Sequence, residues 1–495
     1  MHHEDPHIDA LIRKHEGSWR SGYDAFPALV HKHGLRRGVE VGVAFGGHAA
    51  AILERGGVDK LFGVDRYQHR DGYDDPMNLP QPVFDRLAQR VVERMKPFGS
   101  RFELVREESV AASERFEDGA LDFVYLDADH SETGLLADLS AWFCKVREGG
   151  IVAGHDLDHP DFPGVRRAVE RFFVRFGWLP EAHGHGVWTV QKRARPVTFF
   201  TPAYNAEPFI AQAVHSIMQG NLRTGDRYLV VDDASTDQTA GVVEKLVVSY
   251  PEIELIRHDK NRGGGAARNT AIAQARTGLL FCLDADNVLL PGSVDRLRHA
   301  MDRDPAEVAC FARVDYFRGE ANTRSVTHAH NYAYERYNLS AYLATGRVPG
   351  ASGNYLFARS SHGAAGGYPT QHGALDTWGF GLRQVAVGGE MLVVPNTSYL
   401  HRDGHGSYWT RYAKTGVADE HAFDLLSPYL DQLDPRDASR LASPRRRAGW
   451  FGRLDDKPIR VRQRRERALP AMPAIQSLPR SISNTLARLL NRQAA

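Results

Sequence analysis

Leu279-Leu280-Phe281-Cys282-Leu283-Asp284-Ala285-Asp286-Asn287 reads as an apolar strand that ends in two carboxylates one residue apart. Carboxylates so placed can hold a divalent cation whose remaining positions take two phosphate oxygens. Alone, such a pair is usually a solvated turn. The sequence on either side decides otherwise. Thr198-Phe199-Phe200-Thr201-Pro202-Ala203-Tyr204-Asn205-Ala206 leads from a strand into a helix. Tyr228-Leu229-Val230-Val231-Asp232-Asp233-Ala234-Ser235-Thr236-Asp237 repeats a strand running into an acidic turn, where carboxylates can bond a base N–H and ribose hydroxyls. Asn261-Arg262-Gly263-Gly264-Gly265-Ala266-Ala267-Arg268-Asn269 then offers glycine-rich backbone and two arginines suited to a diphosphate.

Further outward, short apolar runs alternate with longer amphipathic segments twice over. Residues 30–193 predict strands at Gly38–Val43, Lys60–Asp65, Arg101–Val105, Leu121–Asp127, Gly150–Gly154 and Gly186–Gln191. Residues 194–426 open with the strand of Arg195-Pro196-Val197-Thr198-Phe199-Phe200 and continue at Tyr228–Val231, Ile253–His258 and Gly278–Leu283. The pattern predicts an α/β chain of two doubly wound domains, with an extension at 1–29 and a basic, partly disordered tail at 427–495 that ends in an apolar segment at Ile482–Leu490. The basic join Lys192–Arg195 is short enough for the two units to touch.

The chain has 495 residues, 42% apolar and 25% charged, which supports ordinary cores in two or three domains. Its formal charge of +1 conceals an asymmetry. From Arg440 onward fourteen basic residues face Asp455, Asp456 and Glu466, so residues 440–495 carry +11 and the rest −10. Arginines there suit anionic lipid headgroups at the inner face of the plasma membrane, or contact with the acidic body, or plain solvation. Sparse aromatic interleaving argues against nucleic acid. Cys144, Cys282 and Cys310 form neither a disulfide framework nor a metal knuckle, which fits a reducing cytoplasm. No signal-peptide pattern and no apolar run of about 18 residues occurs. His2, His3 and His7 read as a frayed terminus.

In the first unit, Val39-Glu40-Val41-Gly42-Val43-Ala44-Phe45-Gly46-Gly47 is a strand entering a glycine-rich turn and then a helix. Such backbone lets a ligand approach closely and presents unpaired N–H groups. The next strand ends at Asp65, where a carboxylate either bonds ribose hydroxyls or caps the following helix. Asp127, Asp129, His130, His155 and Asp156 all fall at strand ends, where open α/β sheets hold ligands.

The order of these elements resembles the class I S-adenosylmethionine-dependent methyltransferases. The likeness extends through Val124–Ser131, Leu136–Leu139, Glu148–Asp156 and Pro163–Val169. It implies a Rossmann-like fold, with Glu40, Gly42 and Gly46 around the methionine part of S-adenosylmethionine, Asp65 on its ribose, Ser109 near its adenine and Asp127 also at the cofactor. Transfer to a hydroxyl requires a general base or a divalent cation that acidifies the hydroxyl. Asp127 and Asp156 are candidate ligands for Mg²⁺ or Mn²⁺, and His155 is a ligand or the base.

The second series resembles inverting family-2 glycosyltransferases of the GT-A fold, from about 196 to 412. That likeness implies a nucleotide-sugar donor whose nucleoside meets Pro202, Tyr204, Asp232 and Asp233. Arg268 would serve the diphosphate, and Asp284, Asp286 and His401 the Mn²⁺ or Mg²⁺. Gly350–Phe357 and Gly366-Gly367-Tyr368 match the acceptor side. Asp376 stands in the place of the base, with Leu375 where the family has an acid. His401 and His405 belong to a loop that either serves metal and phosphate or simply packs, and Trp378 and Trp409 stack on sugars or fill core.

Together these readings predict a bifunctional enzyme of glycan assembly. It would transfer a sugar to a glycan or lipid-linked acceptor and methylate a sugar or related hydroxyl. The alternative is one active domain beside a degenerate binding module.

Overall fold

The computed structural model describes residues 25–442, except 73–77, 175, 320–324 and 405–407, together with Ala10, Ile12 and Arg13. The tail beyond 442, and with it the expected membrane contact, lies outside the described residues, as do His2, His3, His7 and His405. Among the described residues no helix is long and apolar enough to cross a membrane.

The first unit is built on a seven-stranded sheet in the order β3-β2-β1-β4-β5-β7-β6. The strands are β1 (Arg37–Val41), β2 (Lys60–Val64), β3 (Phe102–Val105), β4 (Leu121–Leu126), β5 (Val146–Gly154), β6 (Glu181–Ala182) and β7 (Trp188–Gln191). The first five are parallel, and β7 closes antiparallel on β5. Both faces are buried because successive side chains alternate across the sheet. Val124 and Leu126 face the helices Glu132–Trp142 and Pro163–Val174. Phe123 and Tyr125 face the helices Ala25–Lys32, Gly47–Arg55 and Gln81–Met95.

The second unit repeats this plan on a ten-stranded mixed sheet: β8 (Val197–Ala203), β9 (Arg227–Asp232), β10 (Ile253–Arg257), β11 (Leu279–Cys282), β12 (Val288–Leu289), β13 (Val308–Phe317), β14 (Val326–Asn331), β15 (Arg336–Tyr337), β16 (Tyr355–Ala358) and β17 (Met391–Arg402). β10, β9, β8 and β11 are parallel, and β16 joins β11 to β13 antiparallel to both. Phe199, Tyr228, Val230 and Phe281 lie in one core, and Phe200, Leu229, Val231 and Leu280 in the other. Chain order reverses between β1 and β4 in one sheet and between β8 and β11 in the other, and ligands of open α/β sheets bind at such points.

The strands expected from apolar runs are present, and the second unit adds six more, β12 to β17. β12 and β15 are two residues long, β14 is mostly exposed, and β17 is interrupted by Pro395 and Asn396, the latter at φ 57°. Folded packing also runs past residue 426: Leu433 and Leu441 are buried in the same core as Leu426 and Trp378.

The two units meet where the short join predicted contact. Asp118 of the first accepts from Lys145 Nζ at 2.9 Å and from Arg303 Nη2 at 3.1 Å, and His299 also reaches it. Asp302 of the second pairs with Arg195 at 2.7 Å. Lys192 Nζ donates to the carbonyls of Phe143 and Val146 at 3.1 and 2.8 Å, so the basic join is bonded to both units.

Candidate active sites of the two units

At the first switch point, Gly42 has φ +90°, and a Cβ there would lie 2.0 Å from the Asp127 carbonyl oxygen. No other residue fits both constraints. The turn opens onto a cavity of about 550 Å³ whose lining includes Glu40, Asp65, Ser109, Asp127, Asp138, His155 and Asp156. Asp65 Oδ2 accepts the N–H groups of Val43 and Ala44, both at 3.0 Å, and Oδ1 accepts that of Tyr67 at 2.9 Å. It straps the glycine-rich turn, and burial raises its pKa.

Glu40 is 1% exposed, with Oε1 2.6 Å from His48 Nδ1 and Oε2 buried without a hydrogen-bond partner. An orphan carboxylate oxygen in a cavity wall is complementary to a cationic ligand group. Ser109 Oγ accepts from Trp142 Nε1 at 2.9 Å and bonds the buried Asp138 carboxyl, so the wall already engages the serine assigned to adenine.

Asp138 is a residue that resemblance quoted without giving it a role. Burial pushes its carboxyl up to about 7, the Ser109 bond opposing, with Asp129 and Glu108 adding to the rise. From its usual 3.8 up to about 7 the folded chain keeps a proton that the unfolded chain releases. Stability therefore falls as pH rises through this window, by about 1.4 kcal/mol per pH unit at most. Asp138→Asn, which cannot ionise, is expected to melt above the parent at pH 8, with the gap shrinking toward pH 5. A pH-independent gap in thermal unfolding would remove this assignment.

At the open end, ligand atoms of Asp127, His130 and Asp156 lie within 4.8 Å of one another, the one such group of three among the described residues. His130 Nε2 is 3.4 Å from Asp127 Oδ1 and 3.1 Å from Asp156 Oδ2. His155 Nδ1 lies 2.9 Å from Asp156 Oδ1. Burial alone would raise Asp156, but the bonds from His130 and His155 hold it well below the usual carboxylate range. Burial lowers His155, yet the Asp156 carboxylate outweighs it and the net shift is upward. Two carboxylates and an imidazole form a donor set for a divalent transition metal or Mg²⁺. His130 thus joins the predicted pair Asp127 and Asp156, while His155 stands behind Asp156.

In the second unit, the acidic pair after β9 is divided. Asp233 takes His258 Nδ1 at 2.6 Å, the Arg262 N–H at 2.9 Å and the Gly263 N–H at 2.7 Å. It is a strut beneath the glycine-rich turn. Asp232 keeps Oδ1 buried without a partner and is the carboxylate left for a ligand. Tyr204 is half exposed beside it, and Pro202 lies within β8.

Arg268, expected at the diphosphate, is engaged by two carboxylates in the structure. Its Nη1 donates to Asp376 Oδ2 and its Nη2 to Asp284 Oδ1, both at 2.6 Å, with the side chain buried. Asn354, which sequence did not single out, accepts the Asp284 N–H at 2.8 Å and donates to Asp284 Oδ2 at 3.2 Å. Asp284 is therefore turned toward Arg268 and Asn354, and Asp284, Asp286 and His401 do not close into a three-ligand cluster. Asp286 stays half exposed, its carbonyl bonded by Arg402 Nε at 3.1 Å. His401 meets Tyr316 edge-on at 5.0 Å. Burial raises Asp376, with Arg268 opposing. Trp378 is core, and Trp409 is partly exposed.

Two family models match the chain. A model described as "Methyltransferase domain" matches residues 39–157, and one described as "Glycosyl transferase family 2" matches 198–362. The chain thus joins a methyltransferase domain to a family-2 glycosyltransferase domain. The succinoglycan biosynthesis protein ExoO of Rhizobium meliloti is 38% identical over 116 residues, 23% of this chain and 32% of that protein. The teichuronic acid biosynthesis glycosyltransferase TuaG of Bacillus subtilis, named there as putative, is 31% identical over 91 residues, 18% of this chain and 36% of that one. The matched stretch is thus well under two thirds of either relative. A crystal structure of S. aureus TarS with UDP-GlcNAc aligns at 18% identity and TM-score 0.42, over 52% of this chain and 73% of that one.

Proposed function

We propose that the second unit transfers a sugar, with inversion, from a nucleoside-diphosphate donor to a saccharide hydroxyl in polysaccharide assembly. The observation that carries this reading is the Arg268 guanidinium, which ties the acidic turn at Asp284 to the candidate base Asp376 across 92 residues of sequence. Asp376 removes the acceptor proton as that oxygen attacks the anomeric carbon from the face opposite the nucleotide. Burial beside Arg268 keeps the carboxyl basic enough to take a proton and charged enough to receive it. Asp232 bonds the nucleoside, and Asp284 with Asp286 would hold a divalent cation against the diphosphate end of the donor. That cation would supply charge to the departing diphosphate. The relatives named for succinoglycan and teichuronic acid biosynthesis support the polysaccharide setting.

The first unit, in the same reading, methylates a hydroxyl of a sugar or related compound. Glu40 Oε2 receives the ammonium of the methionine part of S-adenosylmethionine, and Asp65 holds the turn around it. S-adenosylmethionine supplies an electrophilic methyl group, and a cation among Asp127, His130 and Asp156 would acidify the hydroxyl. His155, bonded to Asp156, takes the released proton. A cytoplasmic setting accords with three free, buried cysteines.

Calorimetry on the full chain tests both readings. UDP or GDP with Mn²⁺ is expected to bind, and Asp284→Ala with Asp286→Ala to weaken it at least tenfold. S-adenosylhomocysteine is expected to bind independently of those changes. Nucleotide binding that is absent, or indifferent to the double substitution, overturns sugar transfer. Absence of S-adenosylhomocysteine binding, with and without Mg²⁺ or Mn²⁺, leaves the first unit as the degenerate partner.

A further inference from the structure

β14 and β17 lie on either side of β13, with Tyr316 paired to His328 on one neighbour and to His401 on the other. Because side chains alternate along a strand, His328 and His330 share one face of β14 and lie alongside Tyr316. The Tyr316 ring stacks on His328 at 4.3 Å and lies 5.7 Å from His330. The face continues inward. His330 meets Tyr332 edge-on at 5.3 Å, and the Tyr332 hydroxyl donates to Ser352 Oγ at 3.2 Å. The Ser352 carbonyl accepts from Asn354 Nδ2 at 2.5 Å, and the same nitrogen donates to Asp284 Oδ2 at 3.2 Å. A continuous chain of contacts thus runs from the acidic turn to the histidine face.

Arg347 stands exposed in the loop before the short helix Pro349–Ser352, and its charge acts on both His330 and Tyr316. Among the described residues no carboxylate pairs with its guanidinium. The acid that acts on the outer edge of this face, Asp403, is bonded by Arg318 at 2.8 Å. Burial first, and then the charges of Arg347, His401 and His328, drive His330 down to about 4. An exposed arginine without an acidic partner, in the loop leading to Ser352, matches a carboxylate or phosphate, which it can bond through two parallel N–H groups.

We infer that this face is the acceptor subsite and that it takes an anionic saccharide. Arg347 binds the carboxylate or phosphate group and His328 and His330 offer ring N–H donors, while the reacting hydroxyl extends toward Asp376. The inference rests on the sugar-transfer reading and specifies its acceptor class.

The test is calorimetric, on the full chain saturated with Mn²⁺ and whichever of UDP or GDP binds. The probes are p-nitrophenyl β-D-glucuronide, glucose 6-phosphate and neutral p-nitrophenyl β-D-glucoside. At least one anionic probe is expected to bind ten times more tightly than the glucoside, and which one does so separates carboxylate from phosphate. Arg347→Gln is expected to bring anionic and neutral probes within twofold, leaving nucleotide affinity and melting temperature unchanged. Equal binding of all probes to the parent, or a preference that survives Arg347→Gln, overturns the inference. Failure of the nucleotide to bind in the first place overturns the transfer reading instead, so the two failures are read separately.

Discussion

Asp376→Asn is expected to lower sugar transfer about a thousandfold, the middle of the range for losing a general base, while nucleotide affinity stays within about twofold. Asparagine keeps an oxygen for the Arg268 Nη1 bond, which is 2.6 Å long in the parent, so the guanidinium remains anchored and Asp284 is still held on the other side. What is lost is the capacity to accept a proton. Asp376 is 6% exposed at the start of the helix Asp376–Ala386, and burial raises its pKa against the opposing charge of Arg268. The base works ionised, so the parent rate rises with pH through that raised pKa to a plateau, and the variant's residual rate lacks this limb. Steady-state release of nucleotide across a pH series, with nucleotide affinity measured in parallel, checks both parts. A rate within tenfold of the parent would remove Asp376 from the chemistry.

Asp226→Ala is expected to cost about 3–5 kcal/mol, the usual effect of stranding one member of a buried ion pair. Arg298 reaches Asp226 with both terminal nitrogens, Nη1 to Oδ1 at 3.0 Å and Nη2 to Oδ2 at 2.5 Å. The same carboxylate accepts the Val197 N–H at 2.7 Å and the Arg223 N–H at 2.8 Å. One side chain thereby joins the first strand of the second unit, the turn before β9 and the helix Ser293–Arg303 that bears on the first unit. Its removal leaves the buried guanidinium with only the Asn221 carbonyl at 3.5 Å and Asp295 at 3.6 Å, and a strand N–H buried without a partner. Because folded domains are stable by only about 5–15 kcal/mol, the loss is a large fraction of the total. Urea unfolding should show a lowered midpoint at unchanged slope, and adding Arg298→Met should recover part of the loss. A shift under about 1 kcal/mol would contradict this account.

Much of the two sites was legible because their parts are local. Strand, turn and helix N-terminus are contiguous in Val39–Gly47 and in Leu279–Asn287, so apolar runs followed by glycine or paired acids announce them. β12, β15 and β17 are less legible, since two-residue strands and a strand interrupted at Asn396 leave no periodic trace, whereas the apolar runs Val308–Phe317 and Tyr355–Ala358 do carry one. Asp138 could have been suspected as an acid on the apolar face of a helix. Asn354 had no comparable signal.

The amino-acid order by itself determined that two doubly wound domains follow one another, which families they resemble, and which strand ends carry acids. It did so because those features depend on side-chain period and on turns a few residues long. Tertiary structure alone decided which acid of each pair is engaged. Asp233 became a strut and Asp232 kept a partnerless oxygen, Arg268 went to Asp284 and Asp376, and His130 settled between Asp127 and Asp156. Except within the Asp127–His130 turn, these contacts join residues many positions apart along the chain. Burial makes each polar atom take the partner that packing brings within about 3 Å, and that choice has no counterpart in local sequence.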